Sequence, residues 1–205
     1  TVTDGEYYSS QNFTVIVNPV NDAPYSQEDF PSFQVNEDAD DVFFDLANYF
    51  NDIEDGANLT YSLFENSLLN VINHSIVGTT LQIDFIDNQY GSGDITIRGC
   101  DSENDCYEHT ATIIVNPVND APVLSAVSTV SFDEDTSTSI TLEGYDADGD
   151  DLAYLISGGE NITATVDGNI VTFIPNQDFN GSENFTATVT DGEYYSSQNF
   201  TVIVN

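Results

Sequence analysis

Eighteen residues, TVTDGEYYSSQNFTVIVN, stand at Thr1 to Asn18 and again, unchanged, at Thr188 to Asn205, a shift of 187 positions. An identity of that length is not accidental. It marks the chain as a stretch of a tandem array, and the fold must be one that repeats along a line. A second phrase, VNPVNDAP, occupies Val17 to Pro24 and Val115 to Pro122, a spacing of 98. The longer period therefore holds two modules. Residues 1–18 read as the C-terminal strands of a preceding repeat, 19–116 as one module and 117–205 as the next. The start of the chain has neither the basic nor the apolar region of a signal peptide, and no run of about 18 apolar residues occurs, so an interior excerpt with no direct membrane insertion is expected.

Within each module the apolar residues recur every second position. Phe185, Ala187 and Val189 alternate with Thr186, Thr188 and Thr190. Leu81, Ile83 and Phe85 alternate with Gln82 and Asp84, and Ala111, Ile113 and Val115 follow the same rhythm. That period belongs to strands with one buried face. Turn formers punctuate it at Asp167-Gly168-Asn169, Asn180-Gly181 and Asp191-Gly192, and no amphipathic helical stretch appears. The reading is all-β: tandem Greek-key sandwiches of about seven short strands, arranged end to end.

The charge is the next constraint. Asp and Glu number 36 against a single Lys or Arg, a formal charge of -35. Nucleic acid and anionic lipid are excluded as partners, since binding them depends on cationic side chains neutralising phosphates. Disorder is excluded by 40% hydrophobic and 12% aromatic residues, too many for a chain that never buries a core. The acids also gather at turns, in the same order in both modules. One series runs Glu37 and Asp38, then Asp52, Glu54 and Asp55, then Asp101; the other runs Glu134 and Asp135, then Asp146-Ala147-Asp148-Gly149-Asp150-Asp151, then Asp191. A single such cluster is an ordinary solvated turn. Recurrence in order is what points to a cation, and sets of hard oxygen ligands suit Ca2+ better than Mg2+. An EF-hand loop is ruled out by spacing. A loop starting at Asp146 puts Asp151 where Gly is needed and Ser157 where the bidentate Glu is needed.

Cys100 and Cys106 enclose only five residues and suit a disulfide across the mouth of a hairpin, in an oxidising compartment. A metal site with His109 is the rival, but two thiols and one imidazole fall short of four ligands. His109 and His74 have no counterparts in the second module; His109 is expected on the surface of the last strand, His74 in a loop, and Arg98 facing outward beside acidic groups.

In the linker VNDAP, in the acidic runs DADGDDLAYLI and NDIEDGANLTYSL, and in PNQDFNGSENFTATVTDG, the chain resembles bacterial cadherin-like tandem repeats over nearly its whole length. That resemblance implies a cadherin/Ig-like fold and calcium at the joint between modules. It assigns Glu37 and Asp38 from the preceding module, Asn119 and Asp120 from the linker, and Asp146, Asp148 and Asp191 from the following module. The equivalents upstream are Asn21, Asp22, Asp52, Glu54 and Asp101. The linker is one residue short of the cadherin pattern and the LDRE motif is missing, so one or two ions per joint are expected.

The function so implied is a calcium-rigidified stalk or filament of a large bacterial surface adhesin, extracellular, with neighbouring repeats as its first partners. Adhesion to polysaccharide or another cell-surface ligand is the alternative, with Tyr7, Tyr8, Tyr194 and Tyr195 near a hairpin tip as stacking faces. An accessory domain of a secreted enzyme ranks lower, because the paired carboxylates recur in each module and do not form one pocket. The duplicated end also raises strand exchange or filament-like self-association.

Overall fold

The computed structural model describes residues 1–205. The chain divides into two compact units, Thr1–Val115 and Asn116–Asn205. The first carries β1 (Val2–Thr3), β2 (Tyr8–Ser9), β3 (Tyr25–Ser26), β4 (Phe33–Asn36), β5 (Val42–Asp45), β6 (Phe50–Asn51), β7 (Thr60–Asn66), β8 (Ile72–Val77), β9 (Thr80–Phe85), β10 (Gly91–Cys100) and β11 (Cys106–Asn116). The second carries β12 (Val123–Leu124), β13 (Val130–Phe132), β14 (Thr138–Thr141), β15 (Gly144–Tyr145), β16 (Ala153–Gly158), β17 (Ile162–Asp167), β18 (Ile170–Pro175), β19 (Gly181–Thr190) and β20 (Tyr195–Val204). A 3-10 turn at Leu46–Asn48, capped by the Asp45 side chain on Ala47 N, is the one helical element.

In the second unit a four-stranded sheet, β13-β20-β19-β16, and a three-stranded sheet, β14-β18-β17, form a sandwich. The alternation explains it. β19 turns Phe185, Ala187 and Val189 into the core, and β20 turns in Phe200, Val202 and Val204. Phe185 sits opposite Phe200 in the antiparallel ladder. From the other sheet, Phe173 meets the Phe185 ring edge-on at 5.2 Å and the Phe200 ring at 6.0 Å. Edge-on contact between large apolar rings supplies both buried area and fixed geometry.

The first unit repeats the plan with β4-β11-β10-β7 over β5-β9-β8. Ile95, Ile97, Ala111, Ile113 and Val115 from one sheet share a core with Ile72, Leu81, Ile83 and Phe85 from the other. Each sandwich has seven strands in its two main sheets plus one two-residue pair, β3-β6 or β12-β15. Those short pairs are too brief to show as alternation. Gly78 and Gly168, at φ 63 and 60, open the equivalent hairpins β8–β9 and β17–β18, where a left-handed residue is needed.

Two expectations fail on the histidines. His109 is not on the surface: it is 8% exposed, its ring lies edge-on to Phe50 at 4.9 Å, and Nε2 lies 3.3 Å from the Tyr49 carbonyl. The β11 register turns it inward, on the buried face with Ala111 and Ile113. His74 is on strand β8, not in a loop, on an exposed position. Arg98 does face outward, paired with Glu108 and stacked over the Phe64 ring.

Candidate metal centre

Each unit has an acidic cluster around the loop that follows a two-residue strand, β6 or β15. In the second unit that loop is Asp146–Asp151, between β15 and β16. Asp146 Oδ1 accepts the backbone N–H of Asp148 at 3.0 Å and of Asp150 at 3.2 Å, an Asx turn completed by Gly149 at φ 79. The turn points three carboxylates at one spot: one oxygen each of Asp146, Asp148 and Asp150 lies within 4.8 Å of the others. Asp146 is 5% exposed, and its Oδ2 is buried with no hydrogen-bond partner.

The linker and the β19–β20 turn close around this loop. Asp120 N donates to Asp148 Oδ2 at 2.7 Å. Asn119 Nδ2 donates to Asp191 Oδ2 at 3.0 Å, while Asp191 Oδ1 accepts the N–H groups of Glu193 and Tyr194. Burial pushes the Asp191 carboxyl up, but those N–H donors and Asn119 outweigh it and hold it below the usual carboxylate range. Asp150 moves the other way, raised by burial and then by the charges of Asp146, Asp148, Asp191 and Asp151. The structure thus brings Asn119, Asp120, Asp146, Asp148 and Asp191 together.

The first unit builds the same arrangement from Asn21, Asp22, Asp52, Glu54 and Asp101. Asp52 Oδ1 accepts the N–H of Glu54 at 2.9 Å and of Asp55 at 2.7 Å, and Asp52 Oδ2 is buried without a hydrogen-bond partner. Asp22 N donates to Glu54 Oε2 at 3.3 Å, and Asn21 Nδ2 to Asp101 Oδ2 at 2.8 Å. That Asn21 bond, with N–H groups of Asp105, Glu103 and Asn104 against a burial penalty, holds the Asp101 carboxyl low.

Glu37 and Asp38 follow β4. Glu37 is 4% exposed. Asp38, left-handed at φ 58, accepts Asn88 N at 2.9 Å with its Oδ1. Asp135 repeats this device in the second unit, accepting Asp178 N at 3.3 Å. Asp55 and Asp150, which stand in the recurring acidic runs but not among the ligands the resemblance assigns, and Asp105, which stands in neither, also belong to the clusters. For Asp150 the alternation of Asp146, Asp148 and Asp150 was the available sign; Asp105 had none. Cys100 and Cys106 form a disulfide as the directly opposed pair at the end of the β10–β11 ladder.

The donor set is all oxygen, and a buried carboxylate oxygen without a partner is costly. A hard divalent cation fits both observations. No helix is long and apolar enough to cross a membrane.

Residues 119–204 match the bacterial Ig domain family. Comparison with curated proteins gives no match. Among solved structures the chain is similar to PcdhgB3 EC1-4, at 14% identity over 89% of this chain and 49% of that one, with a TM-score of 0.50. It is also similar to Protocadherin Gamma B7 extracellular cadherin domains 1-4, at 17% identity over 89% and 49%, with a TM-score of 0.48. Endo-fucoidan hydrolase MfFcnA4 from glycoside hydrolase family 107 shares 19% identity over 92% of this chain and 29% of that one, with a TM-score of 0.41. The chain spans under a third of that hydrolase and about half of the protocadherin fragments. At 14% identity the likeness to PcdhgB3 EC1-4 concerns the fold alone.

Proposed function

We propose that this chain, a bacterial repeat of cadherin- and Ig-like fold, is a calcium-binding structural segment of an extracellular array, serving as the stalk of a surface adhesin. One observation carries the reading. Both units hold, at the same place in the fold, a buried aspartate whose second oxygen has no hydrogen-bond partner, Asp52 Oδ2 and Asp146 Oδ2, inside a ring of further oxygen donors. A bound Ca2+ would satisfy those oxygens and offset part of a formal charge of -35.

Asp146, Asp148, Asp150 and Asp191, with Asn119 and Asp120, would hold the ion in the second unit. Asp52, Glu54 and Asp101, with Asn21 and Asp22, would hold it in the first. The resemblance to cadherins further assigns Glu37 and Asp38 as ligands contributed by a preceding module. Without the cation the acids repel; with it the linker around Pro117 and Pro122 stiffens.

Calorimetric titration of the whole chain tests this. Ca2+ should bind at both clusters, Asp52→Asn and Asp146→Asn should each remove one class of site, and Mg2+ should bind more weakly. No heat at millimolar Ca2+ would overturn the reading. For the mechanical part, small-angle scattering should give a longer, narrower particle in Ca2+ than in chelator, and superimposable curves would reject the stiffening.

A further inference from the structure

The two clusters are not built from the same carboxylates. From Asp52 to Leu59 the first loop is one residue longer than the second from Asp146 to Leu152; counted from the aspartate the place of Asp150 falls on Gly56, and counted from the leucine on Ala57, neither of them an acid. Gly56, at φ 62, keeps the turn but brings no side chain. The third acid of the first loop, Asp55, is turned to Ser102 N through its Oδ2, so that loop offers no counterpart of Asp150, which lies within 4.8 Å of Asp146 and Asp148 in the second.

The disulfide-closed turn carries a further acid toward the linker. Between the opposed residues Thr190 and Tyr195 the second unit has four residues; between Cys100 and Cys106 the first has five. The longer turn passes through Asn104 in the left-handed region, at φ 71, and delivers Asp105. Asn21 Nδ2 donates to Asp105 Oδ2 at 3.1 Å and to Asp101 Oδ2 at 2.8 Å, so two carboxylates converge on one linker residue. Ser102 N, on the same turn, donates to Asp55 Oδ2 at 2.7 Å and ties the turn to the Asp52 loop. Within that bonded set Asp52, 3% exposed, keeps Oδ2 buried and without a partner.

We propose that Asp105 is a cation ligand of the first unit, standing in for Asp150 of the second, and that the Cys100–Cys106 disulfide holds it in place. The first site is then sensitive to thiol reductants and the second is not. A dithiol opens the ring by exchange: the Cys100–Cys106 S–S bond breaks, the dithiol closes to its own cyclic disulfide, and two protons and two electrons pass to the cysteine sulfurs. Freed of the ring, the turn loses the restraint that brings Asp105 to Asn21. This inference rests on the calcium reading above.

The test is Ca2+ calorimetry on the whole chain with and without dithiothreitol. Asp105→Asn, with the disulfide intact, should weaken one class of site about tenfold and leave the other unchanged; Asp150→Asn should do the converse. Dithiothreitol, or the paired change Cys100→Ser with Cys106→Ser, should weaken the class that Asp105→Asn weakens. It should add nothing in the Asp105→Asn background. Glu103→Gln, an exposed acid on the same turn, is the control and should change neither class. Binding that is normal in Asp105→Asn, or that falls equally at both sites with reductant, overturns the inference while leaving the calcium reading intact. Absence of Ca2+ binding in the oxidised wild type overturns both.

Discussion

The acidic ends of the two units differ in how the chain delivers charge. In the second unit an Asx turn on Asp146 projects Asp148 and Asp150 from a single loop, and Gly149 supplies the left-handed residue. In the first unit glycine comes one position later, at Gly56, the loop's third acid, Asp55, accepts Ser102 N, and a further carboxylate, Asp105, comes from another part of the sequence on a turn pinned by a disulfide. Both solutions keep the pair that matters most, a buried aspartate with one oxygen committed to its own loop and one left over. The lesson is that the same buried aspartate can be surrounded by carboxylates drawn from different loops.

The largest way to separate the units is through their cores. Phe173 and Ile83 stand at equivalent places on the middle strands of the three-stranded sheets, both fully buried. Phe173→Ala should cost the second unit about 3–5 kcal/mol, and Ile83→Ala should cost the first about 2–5 kcal/mol. Differential scanning calorimetry should show each substitution lowering its own unfolding transition and leaving the other in place. Movement of both transitions together would mean the units unfold as one.

Next in size is the disulfide's own contribution to stability. It closes a short ring, so removing it with Cys100→Ser and Cys106→Ser should cost the first unit about 2 kcal/mol on the chain-entropy argument. The second unit has Thr190 opposite Tyr195 at that place and should not respond. Chemical denaturation followed through each unit's transition reads the difference, and an unchanged first transition would show that the β10–β11 ladder alone fixes the turn.

Which parts were legible in the sequence follows from how local their causes are. The turn Asp-Gly-Glu-Tyr occurs in both copies of the 18-residue repeat and folds the same way in each. Glu6 N and Tyr7 N donate to Asp4 Oδ1, as Glu193 N and Tyr194 N donate to Asp191 Oδ1, and Gly5 and Gly192 sit at φ 98 and 106. Strand structure in the same letters is not local. Phe200, Val202 and Val204 are buried because β19 and β13 flank β20, whereas Phe13, Val15 and Val17 are exposed. The alternation foretold both sandwiches, and the spacing of Cys100 and Cys106 foretold their bridge. The buried place of His109 was legible too, since the period of Ala111, Ile113 and Val115 runs back through it, but a polar ring in a core layer goes against composition; Asp105 was not legible, because only the folded turn brings it to Asn21.

The finest contrast lies away from the acidic ends, where the chain leaves the strand that pairs with β10 or β19. In the second unit Glu183 gathers that connection: its carboxylate accepts from the backbone N–H of Glu160, Asn161 and Ile162 and from Asn161 Nδ2. The first unit has Gly93 at this position, and Ser67 does the work instead, its Oγ accepting Asp94 N and donating to Asp94 O. A side chain at Gly93 would bring its Cβ to 2.3 Å from Ser67 Oγ, so the two devices exclude one another. Burial pushes the Glu183 carboxyl up, but its four donors outweigh that and hold it below the usual Glu range. A carboxyl lowered in the folded state stabilises fully above its unfolded pKa, and that stabilisation is lost as pH falls through the folded value. Glu183→Gln should therefore cost the second unit about 1 kcal/mol at pH 7, a figure kept small by solvent screening. The cost should shrink as the pH is taken below the usual Glu range, where the wild-type carboxyl is protonated too. Unfolding curves across that range check the sign: a difference that stays constant with pH would assign the effect to packing and not to the charge on Glu183.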